Sequence, residues 1–273
     1  MSPSERIASI KTQLIGNRGA RALIVEGTDD LVALSQFLDK RVPEWESESE
    51  WVIAEAGGKR QVLKIIVSEP NWLGVVDRDD WAADERAIHE TEYPNLFVLP
   101  RFCLESYLIE PHELWEAFPD KQRAKITGGV TEITTVLDAS LPDWTRHAAL
   151  WHVITPLWRK LRHLGFTDGV LDTHAIPDDQ QLEDFLKNWA GVLDAEKTLK
   201  EFNALLASLQ AKPPAELFSQ WIYAKRFYPE VVHPALDKLL GAKSAKDRRQ
   251  AIFRTLPVPV DLDGLWLKMG LLP

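Results

Sequence analysis

The chain reads as an α/β protein: a mostly parallel sheet flanked by helices over residues 1–112, then a mainly helical region over 113–273. Three observations predict this. Short apolar runs recur in the first part, at 21–25, 51–54, 72–76 and 95–99, each the length of a buried strand. The stretches between them carry helical spacing and are long enough for crossovers that bring each strand back parallel to the last. Beyond Pro111 the β-branched runs stop and longer amphipathic stretches follow, such as 144–164, 179–193 and 195–209.

Taken in order, Ser2-Pro3-Ser4-Glu5 is a helix start, because Ser2 can accept from the Glu5 amide, Glu5 can reach back, and Pro3 suits the first helical position. Gly16 is expected to end this helix. The first strand runs into Glu26-Gly27, and Thr28 or Asp29 can cap a helix with Leu31, Leu34 and Leu38 on one face. The second leads through Gly57-Gly58 to a helix bearing Val62, Ile65 and Ile66, and the third ends in a polar turn. Later, Gly128-Gly129, Pro213-Pro214 and Pro257-Val258-Pro259 mark turns and loops. Trp144, Trp151 and Trp158 recur at helical spacing and are read as packing residues rather than base-stacking platforms. His147, His152 and His163 do not share a metal-binding face and are read as surface or core side chains.

Composition narrows the function classes. The 41 acidic and 32 basic residues give a net charge of -9, unevenly spread. Residues 1–110 hold 20 Asp and Glu against 12 Lys and Arg, net -8, whereas residues 111–273 hold 21 against 20, net -1. Cys103 is the lone cysteine, which excludes a disulfide framework or a thiolate zinc cage and suits a reducing compartment. No run of 18 apolar residues is present, so the expectation is a soluble cytoplasmic protein with no membrane span.

The acidic excess is concentrated where strands end. Glu26 follows the first strand directly, Asp77 and Asp79 follow the third, and Glu105 comes just after the fourth. Open α/β sheets bind ligands at these carboxyl ends. Residues two apart in an extended chain point to the same side, so Asp77 and Asp79 can share a pocket with Glu26. Converging carboxylates repel and persist only when compensated, and an all-oxygen cluster favours Mg²⁺ or Mn²⁺.

Val25-Glu26-Gly27-x-x-Asp30, followed some fifty residues later by Val76-Asp77-x-Asp79, resembles the TOPRIM domain. The Gly57-Gly58-Lys59 element and the Leu-Pro-x-x-x-x-Glu-x-Tyr-Leu stretch containing Glu105 are similar to OLD-like members. The nearest match is a standalone OLD-like group that includes the effector nuclease of the PARIS anti-phage system, and it covers residues 18–112. The short loop bearing Asp80 and Trp81 departs from the family pattern. The resemblance implies a TOPRIM-like fold and a metal-dependent endonuclease acting on RNA such as tRNA, or on DNA. It further implies a defence effector with a possible ABC-type ATPase partner and a homodimeric state.

By the same carry-over, Asp77 and Asp79 hold metal, Glu26 ligates it or takes a proton from water, Glu105 is a further ligand or an outer orienter, and Asp30 steadies the turn behind Glu26. Two metals about 4 Å apart would clamp the phosphodiester. Such sites use a lysine to stabilise charge, and Lys225 resembles a lysine late in the OLD-like group. A topoisomerase would need a tyrosine-bearing cleavage domain, for which 273 residues leave no room. Other readings are a non-catalytic TOPRIM module that binds a protein partner, or an Asp-x-Asp glycosyltransferase or phosphatase, neither of which uses Glu26-Gly27. Nucleic-acid binding by an acidic chain needs local positive charge. Lys243, Lys246, Arg248, Arg249 and Arg254, set against Asp247 alone, form the leading candidate track at a local charge of +4, and Arg159-Lys160-x-Arg162-His163 is the second.

Overall fold

The computed structural model describes residues 2–15, 21–79, 81, 83–173 and 175–272, so the expected helix stop at Gly16 and the loop residue Asp80 lie outside the described residues. The Ser2 capping box forms: Ser2 Oγ accepts from the Glu5 amide at 3.3 Å, and Glu5 Oε2 accepts from the Ser2 amide at 2.7 Å. It opens α1 (Pro3–Ile10). Three β/α steps and a fourth strand follow as β1 (Arg21–Val25), α2 (Thr28–Arg41), the short α3 (Trp45–Glu48), β2 (Trp51–Glu55), α4 (Lys59–Ser68), β3 (Leu73–Val76), α5 (Ala83–Glu92) and β4 (Leu96–Val98).

The four strands form one sheet in the order β2-β1-β3-β4, and every neighbouring pair is parallel. Both central strands are apolar throughout their buried length, as a sheet covered on two faces requires. Ala22, Ile24, Val76, Leu96 and Val98 pack with Val62, Ile65 and Ile66 of α4 in one core. Gly74 permits this closeness, because a Cβ there would stand 2.7 Å from Val62 Cγ1 and 2.9 Å from Ile66 Cγ2. By the alternation of a strand, Leu23 and Val25 serve the opposite face, and both are fully buried.

The helical remainder does not form the single domain expected over 113–273. The chain divides into two compact units, Met1–Ala139 with Phe218–Pro273, and Ser140–Leu217. The first unit takes in α6 (Pro111–Ala117), α7 (Asp120–Arg123) and α8 (Gly129–Asp138). The second holds α9 (Leu141–His163), α10 (Asp179–Val192) and α11 (Ala195–Gln210), where α9 packs on α11 around Phe202 and Leu209. After α12 (Pro214–Gln220) the chain re-enters the first unit as α13 (Ala224–Phe227), α14 (His233–Leu240), α15 (Ala245–Thr255) and α16 (Asp263–Lys268). Polar bonds sew this return into the sheet layer. Phe102 N–H donates to the Ser219 carbonyl, Trp51 Nε1 to the Met269 carbonyl, and Lys268 Nζ to the Leu96 carbonyl, each at 2.9 Å. These contacts join residues more than a hundred positions apart, which hydrophobic periodicity cannot report. Among the described residues no helix is long and apolar enough to cross a membrane.

Candidate metal centre

Glu26, Asp77 and Asp79 come together at the carboxyl ends of the adjacent strands β1 and β3. One carboxylate oxygen from each lies within 4.8 Å of the other two. Glu26 Oε1 accepts from the Asp77 amide at 2.8 Å, so the first acid is anchored to the backbone of the second. Its carbonyl accepts from the Gly57 and Gly58 amides at 2.9 and 2.8 Å. Both glycines hold positive φ, 91° and 120°, which a side chain would oppose.

Asp77 is buried, and its Oδ1 accepts from the Leu104 amide at 3.0 Å. Asp79 converges by a different route from the extended spacing expected of the sequence. β3 ends at Val76, and the chain turns so that Asp79 sits at φ 51°, a left-handed conformation that aspartate tolerates better than most residues. The Asp79 amide is held by the Phe102 carbonyl at 2.7 Å.

Two lysines compensate the cluster. Lys225 Nζ stands 2.5 Å from Asp77 Oδ2 and 3.8 Å from Asp79 Oδ1, so the late lysine noticed in the sequence does reach the acids. Lys59 Nζ is 2.7 Å from Asp79 Oδ2 and 4.2 Å from the centre of the Trp81 ring. Sequence reasoning recorded Lys59 only as part of a glycine element and gave it no role. The available signal was its place directly after two glycines at a strand end.

Burial drives the protonation of this site. It pushes the Glu26 carboxyl up against the opposing pull of Lys59 and the Asp77 amide, and it pushes Asp77 well above the ordinary range against Lys225. For Lys225 burial acts downward, but Asp77 and Asp79 override it and keep the ammonium protonated. Asp30 caps α2 by accepting from the Gly27 amide at 2.8 Å, and burial with little cationic relief pushes it up to about 7.

Glu105 falls in the 3₁₀ turn Leu104–Leu108 and is not in the three-acid cluster. Its Oε1 faces Arg249 at 3.9 Å, while its Oε2 is buried without a hydrogen-bond partner among the described residues. Arg249 also pairs with Asp29 at 2.9 Å. Arg248 is buried against Asp237 at 2.5 Å and the Gly241 carbonyl at 2.6 Å, since its guanidinium ties α15 to the end of α14. Two members of the expected phosphate track are therefore committed to ion pairs within the chain. Lys243, Lys246 and Arg254 remain exposed.

An all-oxygen set of three anchored carboxylates suits a hard divalent cation such as Mg²⁺ or Mn²⁺, with Glu26, Asp77 and Asp79 as its holders. No protein-family model matches the chain, and no curated protein matches it either.

Proposed function

We propose that the chain is a Mg²⁺- or Mn²⁺-dependent nuclease of TOPRIM type that hydrolyses phosphodiester bonds in nucleic acid. The observation that carries this reading is the convergence of Glu26, Asp77 and Asp79 on one sheet edge with a protonated Lys225 against two of them. The divalent cation would supply Lewis-acid polarisation of the phosphodiester and activation of water. Glu26, raised by burial and fixed on the Asp77 amide, is placed to take the proton of attacking water at its outer oxygen. Lys225 presents positive charge toward the non-bridging or leaving oxygen, where charge grows in the transition state. Lys59, steadied by Trp81, keeps Asp79 in register. The resemblance extends the proposal to an anti-phage effector acting on tRNA, other RNA or DNA, with ATP hydrolysed by an ABC-type partner and with two copies in the active form.

The test is cleavage of tRNA, single-stranded DNA and duplex DNA in Mg²⁺, Mn²⁺ and EDTA, beside Mn²⁺ binding followed by electron paramagnetic resonance. Cleavage is expected only with metal, and Asp77→Asn and Glu26→Ala are expected to lower it at least about 100-fold while weakening Mn²⁺ binding. Wild-type cleavage by a folded Asp77→Asn variant would overturn the mechanism. Tight Mn²⁺ binding with no cleavage of any substrate would favour a non-catalytic binding module.

A further inference from the structure

We propose that a pocket between α15 and residues 118–122 binds the dianionic group of a terminal phosphate monoester through Lys243, Arg248 and Arg254. Its volume is about 150 Å³, and all three basic side chains line it. No Asp or Glu stands in its lining among the described residues. The proposal is independent of the nuclease reading. Arg254 lies in the last turn of α15, where a cation already complements the helix dipole, and exposed charge by itself would carry no further meaning. Arg248 changes that. It is only 5% exposed, and its Nε is buried without a hydrogen-bond partner among the described residues. A buried N–H that finds no acceptor is costly, and an anion seated in the pocket that Arg248 lines would supply one.

The pocket is preformed on the α15 side. Arg248 Nη2 donates to Asp237 Oδ1 at 2.5 Å and to the Gly241 carbonyl at 2.6 Å, so the guanidinium is fixed before any ligand arrives, which lowers the ordering cost of binding. Asp237 Oδ1 also accepts from the Lys243 amide at 3.3 Å, which ties the backbone of the second cation to the same acid. Asp247 is occupied at the helix start, where its amide donates to Ser244 Oγ at 3.1 Å and its Oδ2 accepts from the same hydroxyl at 2.7 Å. Arg248, Ala251, Ile252 and Thr255 follow the spacing of one helical face, and all four line the pocket. Across from them Gln122 brings an amide donor and the buried Phe118 an apolar wall.

Charge and size together select the occupant. Asp237 neutralises Arg248, whereas Lys243 and Arg254 are exposed and make no side-chain ion pair or hydrogen bond among the described residues. Two positive charges in the lining are therefore uncompensated. A phosphate monoester carries about -1.5 to -2 near pH 7 and matches them, while a carboxylate or a phosphodiester inside a strand brings a single charge. The planar fork of arginine suits phosphate oxygens, and lysine adds a point charge. A volume of about 150 Å³ is that of a cavity able to hold a benzene-sized molecule. It admits a phosphate with the first atoms of its ester, and it excludes a duplex.

Isothermal titration calorimetry on the full chain in EDTA, near neutral pH, tests the proposal with inorganic phosphate, adenosine 5′-monophosphate, adenosine and acetate. The two phosphates are expected to bind, and adenosine and acetate to bind at least about tenfold more weakly. Lys243→Glu/Arg254→Glu is expected to weaken the monophosphate at least about tenfold, with Arg254→Lys keeping part of the affinity. Both altered side chains are exposed, so circular dichroism and melting should be unchanged. With nitrogen-15 labelled arginine, the Arg248 Nε–H resonance of the wild type should move as phosphate is added. A 5′-phosphorylated oligonucleotide that binds as tightly as the monophosphate identifies the ligand as a strand end, and binding of the monophosphate alone identifies a free nucleotide. No phosphate binding by the folded wild type, undiminished binding by the folded double variant, or equal affinity for acetate would overturn the proposal. Cleavage is not read in EDTA, so such a failure leaves the nuclease reading standing, and a chain that never cleaves leaves the pocket standing.

Discussion

The α/β unit and the helical unit use charge in opposite ways. In the first, acids and bases turn inward: Asp77 with Lys225, Asp79 with Lys59, Arg101 with Glu113 and Asp261, and Arg248 with Asp237. In the second, Lys160, Arg162 and His163 at the α9 end are exposed, and α10 has no buried residue at all. The difference teaches where each task can be placed. A cluster of repelling carboxylates needs a deep, rigid core to hold its geometry, which β1 and β3 supply with residues buried along almost their whole length. A thinly packed helical unit sets no such demand and leaves its charged side chains exposed.

The largest effect that would break this contrast is expected at the core. Phe37→Ala, at a fully buried ring that meets Tyr107 and Phe253 edge to face, should cost about 4 kcal/mol, read by chemical denaturation with hydrogen exchange locating the loss in the α/β unit. Next, Lys225→Met leaves the buried Asp77 carboxylate without its cation and should cost on the order of 3 kcal/mol in EDTA. Adding Mg²⁺ should restore part of that loss, because the metal supplies the missing positive charge. An equal loss in EDTA and in Mg²⁺ would count against metal at these carboxylates.

A pH profile sharpens the contrast further. The Asp30 carboxyl is pushed up to about 7 in the folded chain, so it keeps a proton that the unfolded chain gives up near pH 4. Its contribution is therefore most favourable below about pH 4 and is lost as the pH rises toward 7. With discount for partial exposure and neighbouring cations, the swing is on the order of 2 kcal/mol in EDTA. Asp30→Asn, whose side-chain oxygen can still accept from Gly27, should flatten the melting temperature over that window. A profile as steep as the wild type would show that the proton sits elsewhere. The smallest effect is expected in the helical unit: Leu199→Ala, at a side chain 59% exposed, should change stability by no more than about 0.5 kcal/mol.

Much of the fold was legible because parallel strands buried on both faces leave continuous apolar runs, and all four strands fall within a residue or two of the runs seen in the sequence. Glu26 and Asp77 were legible for the same reason, since a strand end fixes where the next side chain goes, whereas Asp79 reaches them through a left-handed turn that the extended spacing did not anticipate. Trp158 was misread because helical spacing marks a face without saying whether anything covers it. The division of the helical half was hidden because it rests on long-range bonds, such as Lys40 Nζ to the Phe253 carbonyl at 2.9 Å, that leave no periodic trace.

Local chemistry thus wrote into the chain the parallel strands, the Ser2 cap, the glycine turn at Gly57-Gly58 and the order of acids along one sheet edge, all of which depend on neighbours a few positions away. Three-dimensional packing settled the rest. It chose Lys225 and Lys59 as the cations that meet the acids, left Glu105 to Arg249 outside the cluster, and turned Arg248 inward. These are pairings between distant segments, and burial makes them strong enough to matter: a charge brought out of water must find its opposite wherever the fold has placed it.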